Sequence, residues 1–140
     1  MRTIPREEIS GVCPSYDAIQ KLTTEAREQI DAGLGTDGPW TPQSRGTAIH
    51  MRVKELVEAE PSLAHVKTEF SLNLDGSAAK YGEPATVRVD ELEQVGRVVC
   101  IYDTKTGRSG LTMSRMFQLA GHAAKNFKNF DRIIITEMRP

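Results

Sequence analysis

The sequence predicts a single α/β domain built on a mixed four-stranded sheet flanked by helices, and three observations carry that prediction. Apolar residues recur at spacings of three and four through the first 60 positions, then alternate with period two from Val66 to Asp103. Helical spacing returns after residue 110 and is followed by one last short apolar run. Three strands in succession, the second and third joined by a short turn, suggest an antiparallel meander. A helix between the third and fourth strands makes the last connection a crossover, which places strand four parallel to a neighbour.

Each element has its own signal. Tyr16 to Ala32 sets Ile19, Leu22, Ala26 and Ile30 on one face with charges between them, and Gly33 and Gly35 stop the helix. Residues 33 to 46, glycine- and proline-rich around Trp40, read as a loop. A second helix is expected from about Thr47, with Ile49, Val53, Leu56 and Val57 as its apolar stripe and Pro61 beyond its end. Val66, Thr68, Phe70, Leu72 and Leu74 alternate with Lys67, Glu69, Ser71 and Asn73, the pattern of a strand with one wet face. After a loop from Asp75 to Pro84, strands are expected at Ala85 to Leu92 and Arg97 to Asp103, turning near Gln94 to Gly96. Leu111 to Phe127 reads as a helix through Met113, Phe117, Ala120 and Ala124, and Arg132 to Glu137 closes the sheet. Residues 1–45 are then a helix-and-loop extension of the same domain, and residues 46–140 its core.

Composition narrows the function classes. At 140 residues, 39% hydrophobic and 26% charged, the chain is an ordinary globular domain and not a disordered one. No apolar run approaches the ~20 residues of a membrane helix, and the N-terminus lacks a hydrophobic signal core, so a soluble chain is expected. Two cysteines, Cys13 and Cys100, make no disulfide framework and no zinc motif; Cys100, inside Val98-Val99-Cys100-Ile101, reads as a small buried hydrophobe. The net charge of −1 hides an asymmetry: residues 1–104 hold 11 basic and 17 acidic side chains, residues 105–140 hold 7 and 2. A basic C-terminal part suits a polyanionic partner, although a solvated face has the same composition.

The segment with chemical content is Val99-Cys100-Ile101-Tyr102-Asp103-Thr104-Lys105-Thr106-Gly107, an apolar strand that ends in an acid and a base two residues apart. Period two puts Asp103 and Lys105 on the face of Val99 and Ile101, where a buried surface meets solvent. Unpaired burial there costs several kcal/mol, roughly. Either the two pair with each other, or Asp103 meets a divalent cation while Lys105 meets a phosphate. Asp90, at the end of Thr86-Val87-Arg88-Val89-Asp90, offers a second carboxylate on the neighbouring strand. With a backbone oxygen of Thr104, the two suit a hard cation such as Mg²⁺ or Mn²⁺.

Other polar residues divide by geometry. His50 borders the apolar stripe of its helix, about 20° from Val57 at ~100° per residue, and reads as a fourth metal ligand or as a hydrogen-bonded core histidine. Glu69 is either a further acid of the site or a solvated strand-edge charge. Gln118 and His122, four residues apart, share one helical face; Gln118 has the better claim to orient Lys105 or a phosphate. Arg88 shares the strand parity of Asp90, and Arg88, Arg108 and Arg115 are candidate phosphate contacts. Aromatics are 6% of the chain with no cluster in the strands, so no base-stacking platform is legible.

Taken in order, Gly46 with His50, Asp90, Asp103-Thr104-Lys105-Thr106-Gly107 and Gln118 resemble the PD-(D/E)xK nuclease superfamily, RecB-like members in particular. The run Tyr102 to Thr112 with Arg115 and Gln118 is similar to the nuclease toxin domains at the C-termini of bacterial polymorphic toxins of the Rhs and contact-dependent inhibition types. The superfamily's namesake proline is Val89 here, and the glycine often three residues before the first Asp is Val87. The resemblance implies a restriction-endonuclease-like fold and metal-dependent hydrolysis of DNA or RNA. Asp90, Asp103, Lys105 and Gln118 would be catalytic, and Asp90, Asp103, Thr104 and His50 would hold the metal. It also implies export within a larger protein, action in a target cell's cytoplasm and a cognate immunity protein. A housekeeping or phage DNA-processing nuclease would use the same site, and a non-catalytic nucleic-acid-binding module would keep the fold.

Overall fold

A computed structural model describes residues 3–36, 38–73 and 86–140. The expected loop Asp75 to Pro84, with Leu74 and Ala85, lies outside the described residues. The elements run α1 (Arg6–Val12), α2 (Tyr16–Asp31), α3 (Pro42–Ala59), a 3₁₀ turn (Pro61–Leu63), β1 (Lys67–Asn73), β2 (Thr86–Val95), β3 (Val98–Thr104), α4 (Met113–Asn126) and β4 (Arg132–Met138). One four-stranded sheet has the order β1-β2-β3-β4, antiparallel except for the parallel pair of β3 and β4. The meander, the helical crossover and the mixed sheet are those expected from the periodicities.

The sheet separates two apolar clusters. On one face Cys100, Tyr102, Ile134 and Met138 pack with Ile19, Ala26 and Ile30 of α2 and Ile49, Val53 and Val57 of α3. On the other, Val87, Val89, Leu92, Val99 and Ile101 pack with Leu119 and Ala123 of α4. Two faces covered by helices explain why β3 is buried along almost its whole length. The N-terminal helices share a cluster with the sheet, and the expected boundary at residue 45 falls inside α3.

Several details depart from the sequence reading. Helix α3 begins five residues early, at Pro42, because Thr41 and Ser44 form a capping box and proline is tolerated in a first helical turn. Trp40 closes the preceding loop by donating its indole N–H to the Ile30 carbonyl at 2.9 Å. The short helix α1 was not expected; none of its residues is buried. Cys13 and Cys100 are joined in a disulfide, so Cys100 is not the free buried thiol that its apolar setting suggested. The two are 87 positions apart, a pairing that spacing alone cannot reveal.

The expected apolar face of α4 is also overturned. Met113 and Phe117 are exposed, at 55% and 59%, while Leu119, His122 and Ala123 face the sheet. Apolar residues occupy so many positions of α4 that two stripes are equally periodic, and periodicity cannot choose between them.

Strict alternation fails once more, in β1 and β2 together. Thr68 donates to Glu58 of α3, yet Phe70 and Leu72 pack on the α4 side. Opposite them, Val87 and Val89 lie on the α4 side, whereas Glu93 bonds to Ser15 and Tyr102 on the other face and Leu92 returns to the α4 side. The registers Thr68↔Glu91 and Phe70↔Val89 leave Glu69 opposite Asp90 at the turnover. Glu69 has φ +48°, a left-handed conformation that costs a non-glycine residue about 1 kcal/mol or more.

Candidate functional site

The turnover matters because Asp90 stands on it. Glu91↔Tyr102 is a register pair of β2 and β3, so the next pair outward sets Asp90 opposite Asp103. Both come from inner strands and stand where the β2–β3 ladder ends; Asp103 is near the end of β3, and Asp90 is within β2, which runs on beside β1. There an open cleft of about 460 Å³ is lined by His50, Val87, Arg88, Asp90, Asp103, Thr104, Lys105, Thr106, Gly107, Arg115 and Gln118.

Each acid has its own base. Asp90 lies 3.3 Å from His50 Nδ1 through Oδ1 and accepts the Thr104 backbone N–H at 2.8 Å through Oδ2. Asp103, 3% exposed, forms an ion pair of 2.9 Å with Lys105 Nζ, whose backbone N–H continues the parallel ladder to the Met138 carbonyl. Burial opposes ionisation of Asp90, but the contacts from His50 and the Thr104 N–H outweigh it and hold its carboxyl below the ordinary value. Asp103 is pushed up, by burial first and by the Asp90 charge as well, against the pull of Lys105. The bond to Asp90 raises His50 above its ordinary value.

The strand-to-helix loop that carries Lys105 is tied down at both ends. Arg139 donates to the Gly107 carbonyl at 2.6 Å and pairs with Glu137 at 3.1 Å, and Glu137 accepts the Leu111 N–H. Gly110 accommodates that closeness: a Cβ there would stand 2.7 Å from Glu137 Oε1, so a larger residue would have to displace the Glu137 carboxylate. Gly46 has a similar reason: a Cβ at that position of α3 would stand 2.8 Å from Thr106 Oγ1. At the far wall α4 starts with Thr112 as N-cap, and Arg115 donates to Gln118 Oε1 at 3.2 Å and to the Arg88 carbonyl at 3.0 Å.

The remaining expected residues lie elsewhere. Arg108 is exposed on the loop and does not line the cleft. Glu69 pairs with Lys54 at 3.2 Å, outside the cleft lining. His122 is buried beneath α4 with its Nδ1 2.8 Å from the Gln118 carbonyl. The structure brings together His50, Arg88, Asp90, Asp103, Thr104, Lys105, Arg115 and Gln118, and leaves those three apart.

Glu91 escaped the sequence reading. It is 2% exposed, its Oε2 has no hydrogen-bond partner, and burial with the charges of Asp90 and Asp103 raises its carboxyl well above the ordinary value. The signal was available in the acid-rich run Asp90-Glu91-Leu92-Glu93 of a strand paired on both sides. Glu137 and Arg139 were missed because a clamp between a loop and the chain's end has no local pattern.

The donor set fits a hard divalent cation in type, with two neighbouring carboxylates and one imidazole beside them. Two acids so placed resist ionising together, and the Asp90 charge adds to the burial that raises Asp103. Among the described residues no three His, Cys, Asp or Glu side chains form a ready-made cation cage. His50 and Lys105 instead hold the carboxylates. A larger groove of about 560 Å³ between α1 and α2, lined by residues such as Arg6, Glu7, Tyr16 and Lys21, has no comparable set. No protein-family model, no curated protein and no solved structure gives a significant match to the chain.

Proposed function

We propose that this protein is a metal-dependent phosphodiesterase acting on nucleic acid, a nuclease of the PD-(D/E)xK type with a restriction-endonuclease-like core. The observation that carries the reading is the juxtaposition of Asp90, within β2, and Asp103, near the end of β3, where the β2–β3 ladder stops, with Lys105 on one acid and His50 on the other, in a cleft whose outer wall is Arg115 and Gln118. Asp90, Asp103, a Thr104 oxygen and His50 would hold Mg²⁺ or Mn²⁺. Bound there, the cation would acidify a water and draw charge from the phosphate.

The chain's own groups supply the rest. Lys105 presents an ammonium beside Asp103, where it neutralises charge that builds on phosphorus or steadies the attacking water. Arg88 and Arg115 grip phosphate oxygens without reading sequence. Gln118, fixed by Arg115, orients what lies between them. His50 keeps Asp90 ionised and aimed.

The toxin reading rests on the likeness of Tyr102 to Thr112 with Arg115 and Gln118. The Cys13–Cys100 disulfide supports passage through an oxidising compartment, as an exported protein requires. A cognate immunity protein is part of the same proposal. Among the described residues no helix is long and apolar enough to cross a membrane.

The test is incubation with plasmid, total RNA and tRNA, with and without Mn²⁺. Cleavage that needs the metal and falls at least ~100-fold in a folded Lys105→Ala protein is expected. Full activity of Lys105→Ala in excess EDTA defeats the reading. Binding without any cleavage, and no calorimetric metal signal, would assign the Asp103–Lys105 pair to a non-catalytic binding module.

A further inference from the structure

The loop that carries Lys105 from β3 to α4 has little apolar footing. Gly107, Arg108 and Ser109 are exposed, and Leu111, packed against the α4-side cluster, is the one large apolar residue between positions 105 and 111. Its course therefore depends on polar contacts, and most of these come from the end of β4 and the residue beyond it. The Lys105 backbone N–H donates to the Met138 carbonyl at 3.0 Å, Arg139 Nη1 donates to the Gly107 carbonyl at 2.6 Å, and Glu137 Oε1 accepts the Leu111 N–H. Arg139 Nε donates to Glu137 Oε2 at 3.1 Å, so the two side chains act as one fork. The loop closes tightly on that fork: a Cβ on Gly110 would stand 2.7 Å from Glu137 Oε1 and 3.0 Å from Arg139 Nη2. The fork has its own anchor, because Gln20 of α2 donates to the Arg139 carbonyl at 2.6 Å.

Both ends of the clamped loop carry groups of the cleft. Upstream, Lys105 pairs with Asp103 and Thr106 lines the wall, with its hydroxyl against the notch that Gly46 leaves in α3. Downstream, Thr112 caps α4 by accepting the Arg115 N–H at 3.1 Å, and Arg115 forms the opposite wall. The separation of the Lys105 ammonium from the Arg115 guanidinium is thus set by the shape of the loop between them. An exposed ion pair by itself adds little to stability, but one that also bonds two backbone groups of a loop fixes geometry. The Glu137 carboxylate is also within electrostatic reach of Lys105. Neither Glu137 nor Arg139 lines the cleft, so both act on it through the loop.

We propose that Glu137 and Arg139 are positioning residues for the cleft: through Gly107 and Leu111 they fix the loop that sets Lys105 against Arg115. This inference rests on the proposed nuclease reading and deepens it. Arg139, although basic and near the site, binds the loop and not the substrate. Loosening the fork leaves every group of the cleft present but lets Lys105 wander, so turnover suffers more than substrate binding.

The experiment compares the full chain with Arg139→Gln, which removes the fork's guanidinium, and with Gly110→Ala, which keeps both fork residues and pushes the Glu137 carboxylate aside from the loop. Amide hydrogen exchange by NMR, without metal or nucleic acid, reads the loop directly. In Arg139→Gln the Leu111 amide should exchange at least ~10-fold faster, while the Lys105 amide, held in the β3–β4 ladder, stays as slow as in wild type. Cleavage of plasmid, total RNA and tRNA with Mn²⁺ reads the consequence. On the substrate that wild type cleaves, kcat should fall about 10- to 100-fold in both variants with KM within about threefold. Unchanged Leu111 exchange in Arg139→Gln, or faster exchange with kcat unchanged, overturns the clamp and leaves the nuclease reading intact. A raised KM with kcat unchanged would make Arg139 a substrate contact, and equal acceleration of the Lys105 and Leu111 amides would make the fork a general stabiliser; either result overturns the proposal. If wild type cleaves none of the three nucleic acids, the nuclease reading falls and the positioning role with it.

Discussion

Opening the Cys13–Cys100 disulfide should destabilise the domain chiefly through the unfolded chain. The bridge spans 87 positions, and the chain-entropy relation for a loop of that size gives about 4 to 5 kcal/mol, with native disulfides typically contributing about 2 to 4. In the folded state the junction has a second fastening. Ser15, two residues after Cys13, gives its backbone N–H and its hydroxyl to Glu93, and Glu93 is the register partner of Cys100. Tyr102 and His65 complete that cluster at 2.7 and 2.6 Å. The reduced protein therefore keeps its fold and its cleft, but its unfolded ensemble gains freedom. With a urea dependence of about 1 to 3 kcal/mol per molar, a loss of about 3 kcal/mol lowers the midpoint by about 1 to 3 M. The assay is urea unfolding by far-UV circular dichroism with and without a phosphine reductant, alongside alkylation of the denatured, unreduced protein. No label should enter before reduction and two after. Two reactive thiols before reduction, or a midpoint indifferent to reductant, would refute the reasoning.

Two further outcomes follow from buried carboxyls. Glu91 is raised in the folded state, so above its ordinary value near 4.5 the folded protein holds a proton that the unfolded chain has released. Its contribution then declines as pH rises, by up to ~1.4 kcal/mol per pH unit until the folded carboxyl itself ionises. Glu91→Gln cannot ionise, and its stability relative to wild type should climb from pH 5 to pH 8 in urea titrations with EDTA; a flat difference contradicts the assignment. Glu93 moves the other way, because burial is outweighed by its bonds from Ser15, His65 and Tyr102. Its contribution is present above its ordinary value near 4.5 and is lost as pH falls through the lower folded value. Tyr102→Phe should cost about 1.5 to 3 kcal/mol at neutral pH and move the acid-unfolding midpoint upward; an unchanged midpoint would count against the cluster.

What the sequence reveals depends on whether a residue's neighbours are set by period or by packing. Asp103 and Lys105 were legible because two residues along a strand end share a face, and the meander brought Asp90 beside them. His50 was legible from its place at the border of an apolar stripe. The outer face of α4 was not, because Met113, Phe117, Ala120 and Ala124 repeat as regularly as Leu119 and Ala123. Only the sheet's shape decides which stripe is covered. The turnover at Glu69 and Asp90 was hidden for the same reason: period two has no mark for a strand that exchanges its faces. The disulfide and the Glu137–Arg139 clamp are long-range pairings, and no local spacing encodes them.

That turnover is also what makes the acidic site possible. Were β2 to alternate without interruption from Leu92, Asp90 would stay on the α4 side and Val89 would turn toward α3, breaking its place in the cluster with Val99 and Ile101. With the exchange at Asp90, Val89 remains buried and the carboxylate serves two neighbours, His50 on α3 and the Thr104 N–H on β3. Two neighbouring carboxylates repel by roughly a few kcal/mol at an effective dielectric constant near 20. Lys105 offsets one of the two charges, and a protonated His50 the other. Once His50 is neutral, the pair of acids with one ammonium has a net charge of −1, which disfavours an incoming phosphodiester. Arg115 at the wall lessens that repulsion from outside the pair. On the proposed reading the divalent cation removes it from within, so phosphate and metal should bind cooperatively: nucleic-acid affinity should rise with Mg²⁺ in wild type and change far less in Asp90→Asn.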